Sequence, residues 1–144
     1  VQAFPDLLPA TQNDSGYQGL RCAAVDVKGT PADLTAPATG DNRLSCTGNR
    51  DPLNLLVVAC NADRTPRDPF SMFPNTTVAG DDLWERSGRK GRIVWGERPG
   101  PAGTTFGSIA VVFTGAEREF CQFVVEGAAS GQELMDRWWR DAPI

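Results

Sequence analysis

At 144 residues the chain is the size of one domain and long enough to bury a core. Its 40% hydrophobic and 22% charged residues are ordinary for a folded globular protein and exclude a disordered one. A net charge of −4 argues against a nucleic-acid partner, which would require a basic face, and no apolar run reaches the length of a membrane span. The chain starts at Val1 without a methionine, a basic leader region or a cleavage motif. It reads as a mature or excised fragment whose signal peptide or anchor would lie outside it.

Near the start, Phe4, Leu7 and Leu8 form an apolar patch cut by Pro5 and Pro9, expected to pack as an extended segment or a single helical turn. Residues 20–27 (LRCAAVDV) favour a strand containing Cys22, and 29–41, with Pro31 and Pro37, read as a long loop. Residues 43–47 and 53–60 are strands about a Gly-Asn-Arg-Asp-Pro turn cluster. The second, LNLLVVAC, is apolar almost throughout and is expected to be a central strand buried on both faces. The stretch 61–82 has few regular signals and reads as a connection whose Phe70 and Phe73 cover part of the core.

Residues 92–97 and 108–114 are strands bracketing a Gly/Pro-rich loop over 98–107, and 119–126 (EFCQFVVE) follow as another strand. Short links between successive strands favour an antiparallel meander. At the end, Ser130 and Glu133 have the spacing of a capping box. Leu134 and Trp138 fall on one helical face, Met135 and Trp139 on its neighbour, and Pro143 ends the element. A sheet followed by a helix that packs on it is an α+β arrangement, here a single domain over 1–144.

Cys22, Cys46, Cys60 and Cys121 are an even set without metal-site spacing, and histidine is absent. Two disulfides in an oxidising compartment are expected. Three pairings are open; the long apolar strands carrying Cys60 and Cys121 favour Cys60–Cys121 with Cys22–Cys46. Arginine outnumbers lysine twelve to two, as in GC-rich genomes, and Asn13-Asp14-Ser15 and Asn75-Thr76-Thr77 have the form of glycosylation sequons.

The missing histidine removes Ser-His-Asp and Cys-His catalysis, and a serine–lysine pair, which would use Lys28 or Lys90, is not favoured. Paired carboxylates, Asp81 with Asp82 or Glu117 with Glu119, are the residual route to a histidine-free hydrolase. Asp81-Asp82 lacks the spacing of a calcium loop. No catalytic residue, metal site or cofactor is therefore assigned. Residues 86–92 (RSGRKGR) are the densest basic patch in an acidic protein. Arg86, Arg89, Lys90 and Arg92 are candidates to meet anionic envelope polymers, lipid headgroups or an acidic partner, although a solvated hairpin tip would also place them there. Trp84 could line a ligand groove, and Phe106 sits in the 98–107 loop as a second apolar contact.

Four segments carry a resemblance: Asp82-Leu-Trp-Glu-Arg, Gly91-Arg-Ile-Val-Trp, Thr114-Gly-Ala-Glu-Arg-Glu-Phe-Cys and Ser130-Gly-Gln-Glu-Leu-Met-Asp-Arg-Trp-Trp-Arg-Asp-Ala-Pro. They resemble the extracytoplasmic region of mycobacterial transmembrane serine/threonine protein kinases, of the protein kinase I type. The likeness lies in the C-terminal half and its motifs are structural. It implies an external sensor domain attached to the plasma membrane by an anchor outside this chain. Its partner would be an unidentified extracellular ligand or envelope component, or a second copy of itself. The chain carries none of the kinase motifs, so the domain itself would not be the enzyme. The alternative is a free-standing secreted or lipid-anchored protein that binds the cell envelope.

Overall fold

In a computed structural model the described residues are 4–11, 13–26, 28, 30–31, 41–50, 52–67 and 72–144. Most of the loop expected over 29–41, and Phe70, fall outside them. The described residues form β1 (Arg21–Val25), β2 (Asp41–Thr47), β3 (Leu53–Asn61), β4 (Thr77–Arg86), β5 (Arg89–Pro99), β6 (Thr105–Thr114), β7 (Cys121–Gly127) and the helix α1 (Gly131–Arg137). All the strands join one antiparallel sheet in the order β1-β2-β3-β7-β6-β5-β4. Two meanders, β1–β3 and β4–β7, thus meet at a central β3–β7 pair, giving the expected α+β fold. No helix among the described residues is long and apolar enough to cross a membrane.

Side chains alternate between faces, and the register lines up the inner one in rows. Cys46, Leu56, Val125, Ile109 and Trp95 form one row across five strands, and Val58, Phe123, Val111 and Ile93 form the next. This face is covered by Phe4, Leu7 and Leu8 from the N-terminal segment and by Leu134, Trp138, Trp139, Ala142 and Ile144 from the C-terminal one. The amides of Leu7 and Leu8 donate to Phe4 O, so the N-terminal segment makes the single helical turn its spacing allows. Each large side chain buried this way contributes about 2–3 kcal/mol.

Both disulfides join residues directly opposite on neighbouring strands. Cys22–Cys46 ties β1 to β2, and Cys60–Cys121 ties the two meanders together at β3–β7. With every cysteine bonded, the chain is suited to an oxidising, extracytoplasmic environment.

The helix starts as its spacing predicts, Ser130 Oγ accepting from Glu133 N at 3.1 Å. Glu133 Oε2 accepts from Ala129 N, one residue earlier than in a standard capping box. Both tryptophans are buried, and a 3-10 turn over Trp139–Asp141 extends the element beyond the helix before Pro143.

Two expectations need correction. The stretch 61–82 is not all connection, since β4 begins at Thr77. Its pattern is hidden because it is an edge strand with a bulge between Val78 and Gly80 and adjacent acids at Asp81 and Asp82. The loop over 98–107 is likewise half strand: β5 runs to Pro99, β6 starts at Thr105, and a 3-10 turn over Pro101–Gly103 joins them. Between β3 and β4, Phe73 meets the sheet at Arg98, whose guanidinium lies 5.1 Å from its ring centroid.

Candidate functional site: a cationic end of the sheet

The basic patch is a tight hairpin rather than a flexible loop. Ser87 and Gly88 have φ of 53° and 77°, the two positive values of a type I′ turn. Glycine at 88 removes the steric cost of the second, and the twist of this turn matches that of the flanking strands. Arg86 closes β4 opposite Arg89 at the start of β5. Alternation then divides the cluster: Arg86 and Arg89 point to the inner, helix-covered side, while Lys90 and Arg92 point outward.

Arg86 is held in place. Its Nη1 donates to Ala142 O at 2.7 Å, and its guanidinium lies 4.6 Å from the Trp139 ring centroid. Burial pulls its pKa below the usual arginine value, with the nearby Asp141 opposing the shift. Behind it an aromatic chain leads into the core. Trp139 stands edge-on to Trp84 at 5.3 Å, Trp84 edge-on to Phe113 at 5.5 Å, and Phe113 edge-on to Phe123 at 5.2 Å. Such pairs add about 0.5–1.5 kcal/mol each beyond area burial. Trp84 is therefore part of the core, and its indole nitrogen donates to Val112 O.

The opposite flank of the chain carries Arg118, from the turn between β6 and β7. Its guanidinium lies 4.6 Å from the Phe4 ring centroid and 6.0 Å from that of Phe113. The side chain is 7% exposed, and Nη1 is buried with no hydrogen-bond partner among the described residues. Burial, and then the Arg89 charge, hold its pKa below the usual value. Arginine nevertheless stays charged near neutrality.

Two depressions open here, with Arg89 on the rim of both. The larger, of 440 Å³, lies between the hairpin and the C-terminal segment, where Arg86, Arg89 and Arg140 face Asp6 and Asp141. The smaller, of 200 Å³, lies between the hairpin and the β6–β7 turn, lined by Arg89, Lys90, Phe113, Glu117 and Arg118 among others. Three cations against two carboxylates give the first a formal charge of +1 (3 − 2). Three against one give the second +2 (3 − 1), in a chain of net charge −4.

The other candidates lie elsewhere. Arg92 is hydrogen-bonded to Asp81 through both carboxylate oxygens on the exposed outer side of β4 and β5. Phe106, opposite Arg98, is half-buried at the far end of the sheet. Asp81 and Asp82, being adjacent on a strand, point to opposite faces, and Glu117 and Glu119 lie at the β6–β7 turn. Ser87 and Lys90 do carry the S-x-x-K spacing of serine–lysine enzymes, but a β-turn separates them and Lys90 opposes Glu85. Among the described residues no group of three histidine, cysteine, aspartate or glutamate side chains could hold a metal.

Arg118 and Arg140 were not legible as site residues. Each looks like an ordinary surface charge in sequence, and only the arrival of Phe4 from the other end of the chain buries Arg118. Comparison with protein-family models, curated proteins and solved structures gives no match for this chain.

Proposed function

We propose that this chain is a non-catalytic, extracytoplasmic ligand-binding domain that serves as the sensor of a membrane receptor serine/threonine kinase. The observation that carries the binding role is the cationic end itself. A rigid, disulfide-tied sheet presents positively charged depressions in an acidic protein, so an anionic ligand is attracted to one end of the molecule. The four segments that resemble kinase sensor regions support the same reading. They fall on β4, on β5, on the β6–β7 turn with Arg118 and on the C-terminal helical segment, all of which build or back this end. Attachment to the membrane would be through an anchor outside this chain, and a ligand or second copy bound here would bias the kinase.

The test is the coding sequence preceding Val1 in the native gene. A kinase domain followed by about 20 apolar residues supports the sensor reading. A cleavable signal peptide with no kinase overturns it in favour of a free-standing envelope-binding protein. With a kinase present, replacing Arg86 and Arg89 together by glutamine is expected to abolish ligand-dependent kinase autophosphorylation without lowering its basal level.

A further inference from the structure

We infer that the smaller depression is a binding site for a compact phosphate-class oxyanion, with Arg118 as its buried anchor and Arg89 and Lys90 on its rim. This rests on the binding-domain reading above and names the ligand chemistry of the same end of the sheet. It starts from how firmly Arg118 is placed. The amides of Arg118 and Glu119 both donate to Gly115 O, at 3.1 and 2.9 Å, and Cys121 N donates back to Arg118 O at 2.9 Å. The next strand begins at Cys121, which is bonded to Cys60. The guanidinium is thus carried on a turn closed by hydrogen bonds and tied covalently to the central strand.

A guanidinium so placed is costly without an acceptor. It is 7% exposed, Nη1 has no hydrogen-bond partner among the described residues, and burial and the repulsive charge of Arg89 outweigh the attraction of Glu117 and Asp6. Packing on Phe4 and Phe113 would be served by an apolar side chain of similar length without that cost. An incoming oxyanion would supply acceptors for the part of the guanidinium that the depression leaves open, and negative charge between like-charged groups.

Charge and size narrow the class. A phosphate dianion answers the two inward-facing cations, Arg89 and Arg118, better than a carboxylate does, and Glu117 already places one carboxylate at the rim. A depression of 200 Å³ lies below the range of about 300–1,000 Å³ in which drug-sized ligands bind, so it fits a phosphate group better than the rings attached to one. Arginine is suited to that geometry because its planar fork donates two parallel hydrogen bonds.

The experiment is calorimetric titration of the disulfide-bonded chain with inorganic phosphate at low ionic strength, with acetate at matched ionic strength as the control. Saturable phosphate binding that exceeds acetate binding is expected. It should weaken tenfold or more in Arg118→Met, which removes charge and fork, and in Arg118→Lys, which keeps the charge. Arg89→Gln, an exposed change that leaves folding intact, should weaken it severalfold, and Arg140→Gln in the other depression should leave it unchanged. Vesicles of phosphatidylglycerol in phosphatidylcholine separate the sources. Arg118-dependent vesicle binding assigns a lipid headgroup, and phosphate binding without it assigns a soluble phosphate or phosphate ester. No saturable phosphate binding, or binding that Arg118→Met weakens less than tenfold, overturns the site. A free-standing gene with no kinase would overturn the sensor reading while leaving this site in place, so the two failures are distinguishable.

Discussion

The two ends of the sheet are built on different terms. At the end where α1 begins, backbone meets backbone: a Cβ on Gly131 would stand 2.6 Å from Gly96 O, and one on Gly107 would stand 2.8 Å from Gly127 O. The nearby charged pair is ion-paired there, Arg98 Nη1 donating to Glu126 Oε2 at 3.0 Å with both side chains mostly buried, while Arg98 Nε is buried without a partner among the described residues. At the hairpin end the arginines sit on aromatic faces, the surface opens into two depressions and cations outnumber carboxylates. On the proposed reading, closed packing serves stability and unbalanced charge on a rigid frame would serve binding.

The largest expected effect tests how rigid the open end is. Cys60–Cys121, adjoining the turn that seats Arg118, closes 61 residues of chain, against 24 for Cys22–Cys46. Loop entropy then makes the first bond worth about 4.3 kcal/mol and the second about 3.4 kcal/mol. Urea unfolding of Cys60→Ser/Cys121→Ser should show the greater loss, by about 0.8 kcal/mol over Cys22→Ser/Cys46→Ser. Equal losses, or the reverse order, would mean that the staple between the meanders is not what holds that end.

Next comes the closed end. Gly131→Val would drive a branched side chain into the Gly96 backbone, which cannot give way as a flexible side chain could. We expect a loss of about 3 kcal/mol in the same measurement. A loss under about 1 kcal/mol would mean that the helix start is not tightly seated.

Two arginines then set the ends against each other directly. Arg98→Met would strand the mostly buried Glu126 carboxylate and should cost about 2 kcal/mol. Arg118→Met strands no ion-paired carboxylate and removes a cation whose Nη1 is buried without a partner. It should keep stability or raise it by up to about 1 kcal/mol while weakening phosphate binding tenfold or more. If Arg118→Met is instead the more destabilising of the two, the residue is structural and the contrast between the ends fails.

How much of this was readable follows the same division. β3 and β7 declared themselves because a central strand is apolar on both sides, and α1 because cap and stripe agree in register. β4 was hidden because an edge strand with one open side needs no apolar alternation, as Leu83 shows at 79% exposure. The disulfide pairing was legible because Cys60 and Cys121 stand on the two long apolar strands, which the sheet places side by side. Arg86 and Arg89 were visible as a charge run, but Arg118 was not. Its character depends on burial by Phe4, a contact 114 positions away in sequence that no local pattern encodes.

The smallest effect concerns Asp81 and Arg92, which are diagonal neighbours on β4 and β5 and both well exposed. The hydrogen bonds from Arg92 hold the Asp81 carboxyl below its ordinary value, against desolvation and with help from the Arg92 charge. A group whose pKa is lower folded than unfolded adds stability above its unfolded pKa and loses it as pH falls through the folded one. The advantage of wild type over Asp81→Asn should therefore be present at neutral pH, shrink as pH drops below the ordinary aspartate range, and be reduced by salt at any pH. Urea midpoints measured across that range, with and without salt, read it directly. An advantage that grows toward acid pH would show that Asp81 is stabilised in its protonated form, as a paired acid would be, and would return this carboxylate to the list of groups with chemistry to do.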